Sequence, residues 1–144
     1  MFLDQQTKDF YQSEKGKLYL SLNKIACELG NLINNLDFYY EGKIALNEII
    51  KDIINITNDI KNETNSFDYR RHVLVDNWVK DYKIDYLLPL GHKTSLLALQ
   101  ISYSIDELLN QLDDEYCQYM YGVSCYLKQL FKVINELKGV SVLR

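Results

Sequence analysis

Apolar residues recur at alternating intervals of three and four along three stretches of the chain. They are Leu18, Leu22, Ile25, Leu29, Leu32, Leu36; then Leu46, Ile49, Ile53, Ile56, Ile60; then Tyr116, Met120, Val123, Leu127, Leu130, Ile134, Leu137. A mean spacing of 3.5 is the stripe that a helix turns toward helices packed nearly parallel or antiparallel to it. The pattern predicts an all-α protein, a single-domain antiparallel helical bundle of four to five helices over residues 1–144.

Local signals divide the bundle. Residues 1–14 carry Leu3, Phe10 and Tyr11 among polar neighbours and read as an N-terminal arm or short helix. A helix is expected over 15–38, with Gly42 closing the turn that leads to a second helix over 43–62. So short a connection makes the two an antiparallel hairpin. The polar run 61–65 ends the second helix, and Ser66 is placed to cap a third over 67–87. Leu74, Val75, Trp78, Tyr82 and Tyr86 form its inward side, and Pro89 stops it. Thr94 or Ser95 would cap the next helix, which buries Leu97, Ile101, Ile105, Leu108 and Leu112. One unbroken helix over 94–138 would be about 68 Å long, far beyond the usual three or four turns, so a break is expected near Asp113. Residues 139–144 make a short tail that is docked or frayed.

Composition adds limits. A domain near 144 residues buries roughly 70% of its unfolded surface, so a core needs no metal or disulfide. Cys27, Cys117 and Cys125 cannot all pair and read as small apolar fillers in a reducing compartment. The N-terminus lacks a basic stretch followed by an apolar one, and no apolar run approaches the roughly 20 residues of a membrane span. A cytoplasmic protein with no membrane partner is the expectation. Net charge is −4, and its even division between the two halves leaves nucleic acid the less favoured partner.

Catalytic chemistry finds little support. Only His72 and His92 are present, and neither stands in a Glu-x-x-His or HExxH spacing. The Arg-to-His spacing of helical ribonucleases is also missing after Arg70 and Arg71. No catalytic residue, cofactor or metal site is therefore assigned. His92 reads as a solvated loop histidine, although a helix start beside Lys93 is where an anion could sit.

Two surfaces remain. Arg70, Arg71, Lys80 and Lys83 share a stretch with Tyr69, Trp78 and Tyr82, chemistry that grips phosphates and stacks on bases. Asp68, Asp76, Asp81 and Asp85 interleave and cancel much of that field. The other surface combines Tyr103, Tyr119 and Tyr126 with the acids Asp106, Glu107, Asp113, Asp114 and Glu115. Tyrosine concentrates at binding surfaces, and clustered acids suit a basic partner. The leading expectation is a non-enzymatic module of the inhibitor, immunity or anti-defence kind, acting by protein contact. A small helical subunit of a nucleoprotein complex is the alternative. Spare apolar positions at Ile33, Ile50 and Ile54 leave room for a homo-oligomer.

Overall fold

The computed structural model describes residues 3–67, 72–82 and 89–139. Among the described residues there are six α-helices: α1 (Gln5–Gln12), α2 (Glu14–Asn34), α3 (Tyr40–Asn62), α4 (His72–Asp81), α5 (Lys93–Asp106) and α6 (Asp114–Leu137). The count exceeds the expected four to five because the N-terminal segment is itself helical. Asp4 accepts from the Thr7 amide at 2.7 Å and starts α1, and the Ser13 hydroxyl accepts from the Gly16 amide to start α2.

The stripes are buried along most of their length, with Ile60 at the end of the second half-buried and Leu137 at the end of the third 54% exposed. Leu22, Leu29, Leu32, Leu36, Leu46, Ile49, Ile53, Ile56, Met120, Val123, Leu127 and Ile134 are all at 0% exposure. Helices α2 and α3 form the antiparallel hairpin. Ser95 meets Asn135 and Ser102 meets Ser124, so α5 and α6 also run antiparallel. Asp52–Tyr119 and Asp59–Tyr116 contacts set α3 antiparallel to α6. The shorter α4 lies parallel to α6, with Val75 over Gly122 and Trp78 against Tyr126.

Several boundaries differ from expectation. Helix α2 stops at Asn34 rather than 38, and Leu36 stays in the core from the turn that follows. Gly42 closes no turn: it lies in the first turn of α3, where a Cβ would come 2.6 Å from the Tyr39 ring and 2.9 Å from Leu36. Its lack of a side chain lets that ring fold over the helix start. The left-handed residue is Glu63, which ends α3 at φ 56°.

The amide and hydroxyl of Ser66 both donate to Asp59, and the helix start that Ser66 was expected to cap lies outside the described residues. Helix α4 ends at Asp81, so Pro89 stops no described helix, and the expected continuation through Tyr86 lies outside the described residues. Leu74 faces outward at 37% exposure, contrary to its inward assignment. The cap of α5 is neither Thr94 nor Ser95 but His92, whose Nδ1 accepts from the Thr94 amide at 3.1 Å. The expected break is present: a 3-10 turn at Leu109–Gln111 follows α5, and Asp113 is the N-cap residue of α6. Cys125 is buried and Cys117 half-buried, but Cys27 is exposed and fills nothing.

Candidate functional site

Small polar residues set the α5–α6 contact. Ser102 and Ser124 face each other at 2.7 Å, both at 0% exposure. The Ser124 hydroxyl donates to Asp106 Oδ1 at 2.6 Å. Lys128 Nζ, one turn on, donates to Asp106 Oδ2 at 2.7 Å and to Ser124 Oγ at 2.9 Å. A serine between a lysine and a carboxylate has the parts of an activated nucleophile. Here the hydroxyl is sealed from solvent, so the four groups act on one another. They fix α5 against α6 and leave an ion pair at the edge of the contact.

One aromatic ring packs directly on that pair, and two more tyrosines lie nearby. The Lys128 ammonium lies 5.3 Å from the centre of the Tyr103 ring, and Tyr103 is 46% exposed. Tyr121, one turn before Cys125 and two before Lys128 on α6, is 44% exposed. The adjoining Cys125 sulfur raises the Tyr121 phenol above its ordinary value, first through their hydrogen bond and then through charge. Burial pushes the Cys125 thiol up, against the pull of Tyr121 and Lys128. Tyr82, just past α4, reaches the same neighbourhood: its phenol is raised by burial, then by Cys125, Tyr103, Tyr121 and Asp106. One face of the bundle thus carries Tyr103 against an Asp–Lys pair, with Tyr121 and Tyr82 close enough to feel the Asp106 charge.

The expected tyrosine–acid surface is rearranged accordingly. Tyr119 is not on it: this residue is 2% exposed, donates to Asp52 Oδ2 at 2.5 Å and packs edge-on to Phe67 and Trp78. Its stripe faces α3 and α4, which consume it. Tyr126, seven residues on, is half-buried against Trp78 at 5.4 Å, and burial raises its hydroxyl far above the ordinary range. The acids do not form one patch either. Asp106 is level with Ser124 and Lys128, about 15 Å along α6 from Asp114. Glu107 is exposed after α5, and Asp113, Asp114 and Glu115 are exposed at the start of α6. Only Tyr103 and Asp106 of the expected set are brought together. Tyr121 and Lys128 were missed, and Tyr82 was expected on the other surface. The available signal was the run Tyr121, Cys125, Lys128 at helical spacing beside the apolar stripe.

Of the basic candidates, Lys80 is exposed on α4 between exposed Asp76 and Asp81. Arg70, Arg71 and Lys83 lie outside the described residues. His92, besides capping α5, stands edge-on to Phe38, whose ring has the Lys138 ammonium 3.9 Å above it.

Among the described residues, no three His, Cys, Asp or Glu side chains converge as metal ligands, and no helix is long and apolar enough to cross a membrane. The sequence matches no protein-family model and no curated protein.

Proposed function

We propose that this chain is a non-enzymatic, cytoplasmic protein-binding module of the inhibitor or regulator kind, and that Tyr103 and Tyr121 anchor its partner. The observation that carries the reading is the pairing of two nearly half-exposed tyrosines with a rigid base. The Ser102–Ser124–Asp106–Lys128 network beneath them already satisfies its own polar groups. Rings held this way lose little freedom on binding, which is how tyrosine becomes a binding hot spot. The exposed acids Asp113, Asp114 and Glu115 favour a partner with a basic surface nearby.

The test compares partner capture from the native cell by the intact chain, by Tyr103→Ala/Tyr121→Ala, and by Leu20→Ala, an exposed α2 position, as a control on another face. The double variant should bind the captured partner at least ~10-fold more weakly, equivalent to about 1.4 kcal/mol, and the control should be unchanged. Equal binding by all three would sink the assignment of this face. Salt-dependent binding of a nucleic-acid fragment through Lys80 would favour the nucleoprotein reading instead.

A further inference from the structure

Helix α3 carries a second stripe on its outer side, used neither by the core nor by the tyrosine face. Its inward residues Leu46, Ile49, Ile53 and Ile56 are fully buried. Opposite them, at the same alternation of three and four, stand Tyr40, Ile44, Asn47, Lys51, Ile54 and Asn58, all exposed. Tyr40 is 74%, Ile44 49% and Ile54 37% exposed. Three large apolar residues at seam spacing on one solvent face are more than scattered surface hydrophobics.

We infer that this outer face of α3 is a self-association surface, and that it takes a second copy of the chain with the two α3 helices antiparallel. The order of side chains selects the occupant and the direction. With the two-fold axis beside residue 49, Ile44 of one copy lies in the same layer as Ile54 of the other, and the reverse holds across the axis. The two central layers then pair Asn47 with Lys51. Glu48, which now holds its own Lys51 at 3.4 Å, is beside the second copy's Lys51 as well, giving an alternating cluster of two glutamates and two lysines. A parallel pairing would instead set Lys51 against Lys51 in the seam, a like-charge contact offset only by each lysine's own Glu48. Apolar layers outside and polar layers at the centre are how a helical seam fixes its register. One helix pair is a small interface, so the dimer is of the weak, reversible class.

The experiment uses the whole chain with Cys27→Ser, which removes the exposed thiol. Sedimentation from about 10 μM to about 1 mM should show the mass rising toward that of two chains. Ile54→Glu, a position 37% exposed and outside the core, should hold the chain monomeric at the top concentration with unchanged helical circular dichroism. Under mild oxidation, a mixture of Ile44→Cys and Ile54→Cys chains should give a disulfide-linked dimer that neither gives alone. A monomer at 1 mM, an Ile54→Glu chain that still dimerises, or Ile44→Cys linking to itself would overturn the proposal.

Discussion

Asp59 carries a charge at 2% exposure, and the loop after α3 is built around it. Its carboxylate accepts from the Thr64 hydroxyl at 2.7 Å, the Ser66 hydroxyl at 2.6 Å, the Ser66 amide at 3.0 Å and the Phe67 amide at 2.9 Å. Burial alone would raise its pKa, but these donors prevail and lower it to about 2. An unfolded aspartate titrates near 3.9. The stabilisation is therefore complete above about pH 4 and is lost as the pH falls toward 2. The shift would supply a little over 2 kcal/mol, which solvent in the cavity that Asp59 lines with Lys15, Thr64 and Tyr116 trims to on the order of 1–2 kcal/mol. Asp59→Asn places amide hydrogens against these donors and should cost about 1–3 kcal/mol at pH 7. Urea melts should also show the variant losing less stability than the native chain between pH 4 and pH 2; equal losses would remove Asp59 as the group responsible. None of this was legible in the sequence. Thr64 and Ser66 read as turn formers and a helix cap, with nothing to show that their hydroxyls turn back to a carboxylate five and seven residues earlier. Tyr119 misled for a related reason: spacing placed it beside the stripe, but its partner Asp52 is 67 residues away.

At the scale of elements, apolar spacing identified the two long helices of the hairpin and the last helix, because their packing depends on the period of the stripe. It was weakest for α4, whose apolar positions follow the helical period least regularly. Gly122 decides that contact. A Cβ there would come 2.7 Å from Val75 Cγ1 and 3.2 Å from Val75 Cβ, and a β-branched side chain has little room to rotate away. Gly122→Ala should therefore lift α4 from α6 and cost about 1–3 kcal/mol, despite alanine's better helix propensity. Trp78, the one tryptophan of the chain, packs on Tyr119 and Tyr126 and reports the change directly through its fluorescence. Adding Val75→Ala reopens the space, so the double variant should be more stable than the sum of the two single losses predicts. Strict additivity would show that the two side chains do not compete for this volume. A lone glycine inside a helical pattern gave no hint of the role, because the residue it accommodates lies 47 positions earlier.

For the whole molecule, α6 is the element that ties α3, α4 and α5 together. Tyr116 and Tyr119 tie it to α3, Ser124 and Asn135 to α5, and Gln129 donates to the Trp78 carbonyl of α4 at 2.8 Å. Opening α6 would expose apolar surface on three helices together and strand several buried polar groups. Helix α1 is its opposite: eight residues with none buried, held by its caps, by Phe10 on Tyr19 and by the close approach of Gly16 to the Phe10 carbonyl. A helix that short is marginal alone, so its order depends on those few contacts. Hydrogen exchange of the native chain should then separate the two ends of this scale. Amides in the middle of α6 should exchange only through global unfolding, and those of α1 through a local opening at least ~3 kcal/mol less costly. Gly16→Ala, which drives a methyl into the Phe10 carbonyl, should lower α1 protection further and leave the centre of α6 largely protected. Equal exchange in α1 and α6 would mean that the N-terminal helix is part of the cooperative core, and that exposure underrates its docking.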